Sequence, residues 1–403
     1  MTTPTPGARR AIVIGCGIAG PTVAMALQQA GIDATIHEAS PENSDDRGAF
    51  LNVASNGIDA LRSLHIAPDL LSAGFPTPRM VLWSHTGKRL GEVANGTTLP
   101  DGSVSLTLRR AALHRALRDE ASRRGVPIHH EKRLVAIETP PTHVVAHFED
   151  GTSATGDILV GADGIHSPTR HILDPTCPAP RYTGQLSIGG VAPATSLPPT
   201  PGEYHMIFGR RAFFGFSVTP SGDAYWFANI AFPTEPARGE LRTIPAGEWK
   251  RRLTTLFTDD AGPALDMLHH TGDDVAAYSI HDLPTVPHWH RDRILLIGDA
   301  AHATSPSSGQ GASMAMEDAV TLARCLRDHP DPSRAFTTYE SLRRARVERV
   351  VRYSRQIGSS KIAGPVTRFF RDLFMPIGLK MYSKSAPHAW LYDHHIDWDA
   401  RVD

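Results

Sequence analysis

An α/β fold is expected, built from a parallel nucleotide-binding sheet, an inserted antiparallel β-sheet and C-terminal helices, and three observations predict it. The β-branched run Ala11-Ile12-Val13-Ile14 leads into Gly15-x-Gly17-x-x-Gly20 and then into apolar residues at helical spacing, Val23, Ala24, Leu27 and Ala30. A second glycine-rich run lies near the other end of the chain: Gly298-Asp299-Ala300-Ala301-His302, then Pro306 and Gly309-Gln310-Gly311. Between them, over residues 182–281, aromatic residues alternate along short segments separated by turns, as in antiparallel hairpins.

The first element reads as strand, turn and helix, the opening of a Rossmann-like unit. Gly15 permits the tight turn, Gly17 removes the Cβ that would hold the backbone off a diphosphate, and Gly20 lets the helix approach the strand. Ile18 and Ala19 then stand at the helix mouth, where unpaired N–H groups and the dipole favour an anion. Residues 33–38 form a second strand ending in Glu38, whose carboxylate suits two ribose hydroxyls and repels a 2′-phosphate, so FAD or NAD fits better than NADP.

The later elements follow the same logic. Residues 111–124 read as a helix, with Leu113, Leu117 and Ala121 on one face; 133–138 and 144–149 read as strands; 158–164 reads as a buried strand entering a glycine turn. Segments 203–208, 212–219 and 224–232 are hairpin strands, the last two joined by Pro220-Ser221-Gly222-Asp223. Residues 293–297 return to the parallel type and 312–327 form a helix. The expected division is 1–75, 100–181 and 283–355 for a discontinuous nucleotide domain, 76–99 and 182–282 for the β-sheet substrate domain, and 356–403 for a C-terminal helical bridge, with Pro365 and Pro376 starting or breaking segments.

Composition narrows the function. With 41 basic and 42 acidic residues in 403, no global field draws nucleic acid or anionic lipid. Cys16, Cys177 and Cys325 form neither a disulfide framework nor a CxxC site, which fits a reducing cytoplasm, and no segment reads as a signal peptide or membrane span. The 21 histidines are scattered without HExxH, so no metal is expected, and His302 is read as a structural hydrogen-bonding residue.

Together with Glu38, the three runs Gly15-x-Gly17-x-x-Gly20, Gly161-Ala162-Asp163-Gly164-Ile165-His166-Ser167-Pro168-Thr169-Arg170 and Gly298-Asp299 to Gly311 resemble, in order, the fingerprints of single-component FAD-dependent monooxygenases of the para-hydroxybenzoate hydroxylase type. The resemblance implies a Rossmann-like FAD-binding domain, an inserted antiparallel β-sheet substrate domain and C-terminal helices. It also implies an NADH- or NADPH-reduced flavin that reacts with O2 to a C4a-hydroperoxide and oxygenates an aromatic or polycyclic small molecule, in a monomer or homodimer. Asp299 is similar to the acid that binds the ribityl or ribose hydroxyls, and the loop Pro306, Gly309, Gly311, Ala312 to the segment along the isoalloxazine. Asp163 and Gly164 resemble the motif serving FAD and NAD(P)H, with Arg170 bracing the turn; Arg110 and Arg47 resemble flavin-side arginines; Leu134 and Val135 would meet adenine through their backbone.

Relatives often carry Asn where this chain has Ser313. Substrate contacts are expected from the inserted sheet, with Phe214, Phe216 and Pro306 as pocket candidates, because the even-numbered face of 212–218 is uniformly apolar. A flavin-dependent halogenase is the alternative, weakened by the absence of WxWxIP, and an FAD-containing binding protein without turnover is a third.

Overall fold

The computed structural model describes residues 9–42, 50–66, 72, 74–361, 364–382 and 388–403. Its six-stranded sheet runs in the order His290–Arg291, Ile294–Leu296, Ile158–Gly161, Arg9–Ile14, Ile32–His37, Ile128–His129. All pairs are parallel except the edge pair His290–Arg291 with Ile294–Leu296. Ala11 to Ile14 of the strand Arg9–Ile14, and the whole of Ile158–Gly161 and Ile294–Leu296, are buried, because helices cover both faces of a parallel sheet. The helix Ala19–Gln29 packs against Gly311–Asp328, hereafter the central helix, whose residues from Ser313 to Ala323 are all buried.

The seven-stranded sheet has the order Val275–Asp282, Arg181–Ala192, Ala224–Ala231, Ala212–Val218, Glu203–Phe208, Arg79–Ser84, Arg89–Ala94. It departs from a purely antiparallel sheet at one place: Glu203–Phe208 pairs with Arg79–Ser84 in parallel. Those strands come from separate excursions of the chain, and a hairpin, which would force antiparallel pairing, does not connect them. Trp249, Leu253 and Phe257, at every fourth position of the helix Ala246–Phe257, close one face of this sheet together with Met267. Phe50–Val53, Leu106–Arg109 and Phe75–Pro76 form a smaller sheet, and Leu134–Glu138, Val144–Phe148 and Ser153–Gly156 another.

The long helix Pro332–Ser360 is capped by Asp331, whose carboxylate accepts from Ser333 and Arg334 N–H, and it packs along the central helix. The next helix, Pro365–Tyr382, begins at a proline as expected but runs through Pro376 instead of breaking there. Proline removes the donor that would reach the carbonyl four residues back, and that carbonyl, of Asp372, accepts from Lys88 Nζ at 3.0 Å instead. The helix rests on the sheet edge: Gly91, at φ +153°, leaves room for Leu379, and Arg368 donates to Arg210 O at 2.8 Å. Among the described residues no helix is long and apolar enough to cross a membrane.

Candidate functional site

The glycine turn after the first strand is built by close approach. Gly15 has φ +102°, and a Cβ there would stand 2.6 Å from Ala162 O; a Cβ on Gly20 would stand 1.9 Å from Gly15 O. Both glycines are therefore required by backbone packing. Gly17 differs, because a Cβ there would meet nothing within 4 Å, so its space is free for a ligand. Ile18 directly precedes the helix, which begins at Ala19.

Glu38 directly follows the second strand, and its Oε2 and Oε1 accept from Cys16 N at 2.7 Å and Ser40 N at 2.8 Å. Each oxygen keeps acceptor capacity for a hydroxyl. The backbone carbonyl of Glu38 accepts from Lys132 N at 2.7 Å, which carries the following strand, with buried Leu134 and half-exposed Val135, past the same corner. Arg47 lies outside the described residues.

The second fingerprint meets the first at Gly15. Asp163 spends its carboxylate on the turn, accepting from Ser167 Oγ at 2.5 Å, Thr169 N at 2.9 Å and Thr169 Oγ1 at 2.6 Å, while Gly164 turns the chain at φ +78°. Burial raises the Asp163 carboxyl and these bonds oppose it. Arg170 is fully buried and ties the second fingerprint to the third, donating to Ile165 O at 2.7 Å and Ala300 O at 2.9 Å.

At the third fingerprint Gly298 has φ +57°, and a Cβ there would lie 3.2 Å from Ala19 Cβ, so the distant run abuts the start of the first helix. Asp299 stands at this junction; desolvation raises its carboxyl, Asp318 adds to that, and His302 and Arg110 act in the opposite direction. Arg110 opens the helix Arg110–Arg123, its Nε 3.4 Å from His114 Nε2, and among the described residues it has no ion-pair partner.

Pro306–Ser308 forms a single tight turn, Gly309 reverses the chain at φ +64°, and the central helix starts at Gly311. Gly311, Ala312 and Ser313 occupy the first helical turn, whose N–H groups have no intrahelical acceptor. Ser313 points away from that opening: its Oγ accepts from Ala54 N at 3.1 Å, and a Cβ on Gly57 would come within 2.6 Å of it. The residue that departs from the common Asn thus locks the central helix to the segment after Phe50–Val53.

Behind the opening lies a charge network that the sequence reading missed. Arg343 donates to Glu317 Oε2 at 2.5 Å and Asp318 Oδ1 at 2.7 Å, with all three side chains at most 1 % exposed. Arg346 holds Glu317 as well, and Asp318 Oδ2 accepts from Gly298 N at 2.9 Å and meets His302 Nε2 at 2.5 Å. Despite the burial penalty, these partners hold Glu317 down at about 2 and Asp318 below its usual range. The structural reading of His302 therefore holds.

The face of the large sheet turned to this opening is not the expected one. Phe214 stacks on Trp226 at 5.8 Å and meets Phe257 edge-on at 5.2 Å, and Phe216 belongs to the same cluster, so the even-numbered residues face the covering helices. The odd-numbered residues face the other way. There Phe227, Tyr225 and Tyr204 surround Phe50, and Asn52, two residues on, lies 3.7 Å from the Cβ position of Gly309. Phe213 adjoins Phe227 at 5.9 Å. Of the pocket candidates, only Pro306 stands on the side of the opening. The signal was available in the residues 224–231: Ala224, Ala228 and Ile230 are apolar and Trp226 has a single indole donor, whereas Tyr225, Phe227 and Asn229 mix rings with a hydroxyl and an amide, as a ligand-facing surface does.

This arrangement fits FAD: open space at Gly17, a carboxylate at Glu38 with acceptor capacity, and a free helix N-terminus beneath an aromatic face. The FAD binding domain family matches residues 9–354. The chain is 31% identical over 353 residues to FAD-dependent urate hydroxylase of Klebsiella pneumoniae, covering 86% of this chain and 89% of the relative. It is 32% identical over 404 residues to 3-amino-4-hydroxybenzoate 2-monooxygenase PtmB3 of Streptomyces platensis, covering 95% of each. The crystal structure of Klebsiella pneumoniae HpxO complexed with FAD and uric acid superposes with a TM-score of 0.83 at 27% identity, over 94% of this chain and 96% of that one. The geometry of the three fingerprints and these likenesses agree, and the chain belongs to the FAD-dependent monooxygenases of the para-hydroxybenzoate hydroxylase type.

Proposed function

We propose that the protein consumes NADH or NADPH and O2 to hydroxylate or epoxidise a planar aromatic or polycyclic small molecule held between the start of the central helix and the odd-numbered face of the large sheet. The balance is substrate-H + O2 + NAD(P)H + H+ to substrate-OH + NAD(P)+ + H2O for hydroxylation. The observation that carries the reading is the aromatic face of Phe50, Phe213, Phe227 and Tyr204, with Asn52, from the strand of Phe50, lying 3.7 Å from the Cβ position of Gly309.

In this reading Gly17, Ile18, Ala19 and Gly20 hold the diphosphate, Glu38 the ribose, Leu134 and Val135 the adenine through their backbone, and Asp299 and Arg110 the central part of the cofactor. Bound FAD supplies the redox chemistry that activates O2. The N–H groups of Gly311 and Ala312, at the start of the central helix, would hold the flavin end of the cofactor, where the positive end of the helix would favour negative charge. Arg170, Arg343 and Asp318 keep the fingerprint loops rigid behind that helix start. Phe227 and Tyr204 exclude water from the reacting ring. None of the three cysteines forms a disulfide, in keeping with a reducing cytoplasm, where the protein acts as a monomer or homodimer.

The test is to load the purified protein with FAD and follow NADH and NADPH oxidation, O2 uptake and product mass with a panel including 3-amino-4-hydroxybenzoate, urate, quinolones and phenolic polyketides. The reading expects at least one compound to accelerate NAD(P)H oxidation and gain one oxygen atom. FAD-loaded protein that oxidises neither nicotinamide with any of them contradicts it.

A further inference from the structure

The end of the helix Pro332–Ser360 arrives at the junction between the flavin-side turn and the large sheet. A Cβ on Gly358 would lie 3.0 Å from Ser307 Oγ, and Gly358 O accepts from Gln185 Nε2 of the sheet at 3.4 Å. Lys361 follows directly, 6% exposed, with its ammonium 4.7 Å from the ring centre of Phe213 and 5.6 Å from that of Phe227. Those two rings lie on the odd-numbered face. Among the described residues the Lys361 ammonium has no carboxylate and no hydrogen-bond acceptor.

Among the described residues this ammonium meets π faces and no anion, and a cation so placed is expensive to bury. Burial alone pulls it down to about 8, so it still carries its charge at neutral pH. A second unmet polar group lies on the same face. Asn229, directly opposite Phe213 in the strand register, is 1% exposed, and neither its amide nitrogen nor its amide oxygen has a partner. Native interiors rarely leave such groups unpaired unless a ligand or water satisfies them. Nearby, Arg371 lies 4.5 Å over Phe208 and donates to Asp372 through Nε at 2.9 Å, while among the described residues neither of its terminal nitrogens has a hydrogen-bond acceptor.

We propose that Lys361 is the counter-ion of an anionic oxygen on the substrate ring, a carboxylate or an ionised hydroxyl, with the ring held against Phe213 and Phe227. The substrate class is thereby narrowed to acidic aromatic compounds. This rests on the monooxygenase reading, because it takes the odd-numbered face to be the substrate side. Lys361 binds, and by fixing the anion it sets which edge of the ring points to the flavin side.

The experiment uses FAD-loaded wild-type protein and the variants Lys361→Met, Lys361→Gln and Lys361→Arg. FAD content is measured first, and binding is then titrated calorimetrically and by change of the flavin spectrum. The probes are benzoate against benzamide for the carboxylate, and 4-nitrophenolate against nitrobenzene for the ionised hydroxyl. At least one anion is expected to bind wild type about tenfold or more tightly than its neutral counterpart, as a charge-assisted contact implies. That preference is lost in Lys361→Met and Lys361→Gln and retained in Lys361→Arg. A lysine that merely braced the helix end would lower stability in the variants and leave the anion preference where it was. Preference surviving in both neutral variants, or absent from FAD-loaded wild type, overturns the inference alone. A chain that takes up no FAD overturns the monooxygenase reading and this inference with it.

Discussion

Replacing Arg343 with Met removes the cation at the centre of the buried network while keeping most of its apolar volume. In the wild type its guanidinium satisfies Asp318 Oδ1 through Nε and Glu317 Oε2 through Nη1. Glu317 would retain Arg346 and the amide of Asn56, at 2.6 Å, so most of its compensation survives. Among the described residues the hydrogen bonds left to Asp318 come from His302 and Gly298 N, both on Oδ2, so Oδ1 is buried without its cation. Breaking one side of a buried pair costs about 3–5 kcal/mol, and the surviving partners place this case near about 3 kcal/mol. Against a total stability of about 5–15 kcal/mol that loss is large.

Guanidinium denaturation of wild type, Arg343→Met and the double variant Arg343→Met/Asp318→Asn measures it, the double variant recovering much of the loss because the bare carboxylate is replaced by a neutral amide while Glu317 keeps Arg346. The pH dependence has a definite sign. The folded state holds Glu317 at about 2 against an ordinary 4.5, so its contribution is fully present above 4.5 and is lost as pH falls from 4.5 toward 2. In Arg343→Met the folded value rises, so this contribution is smaller and the lower end of the window moves up toward 4.5. A cost under about 1 kcal/mol for Arg343→Met would refute the reasoning, since it would mean the carboxylates are not dependent on this cation.

Three further outcomes are expected. His37 is buried against Phe148, ring centres 4.7 Å apart, and burial, with His129 and Lys132, lowers it from 6.5 to about 4. Its neutral form is favoured in the fold, so stability is lost as pH falls from 6.5 toward 4, about 2 kcal/mol at pH 5, and His37→Phe should flatten the denaturation midpoint over that window. Ser313→Ala leaves the Ala54 N–H without its acceptor in a buried setting, lowering stability by about 1–3 kcal/mol in urea denaturation, with FAD still bound. Phe214→Leu should lower the melting temperature and leave the substrate KM unchanged, whereas Phe213→Leu should raise KM with a smaller loss of stability; steady-state kinetics with calorimetry separates them.

The strands and helices were legible because each carries its own periodicity: Glu203–Phe208 begins and ends where alternation does, and the central helix departs from the expected 312–327 by one residue at each end. The fingerprints were legible because glycine marks backbone constraints: Gly15 and Gly20 fill the backbone roles read for them, and the space beside Gly17 is open. The face of the large sheet was not legible, because alternation fixes which residues share a face and says nothing of which face meets the helices. Phe214 was chosen for uniform apolarity, yet uniform apolarity is what packing under Trp249 and Phe257 demands. The network of Glu317, Asp318 and Arg343 was hidden for another reason. Neighbouring acids and a distant arginine resemble ordinary surface charges until the fold buries them together.

The central claim is that two distant glycine loops hold opposite ends of one FAD, and the most direct measurement is flavin content in Gly17→Val and Gly311→Val beside wild type. Added side chains at these positions meet little protein, nothing within 4 Å at Gly17 and only Thr304 Cγ2 at 3.8 Å at Gly311, so both variants should fold. The account predicts one FAD per wild-type chain, with both variants melting near the wild-type temperature and holding almost none. Wild-type protein that stays colourless with added FAD, or either variant retaining FAD at wild-type affinity, would contradict it.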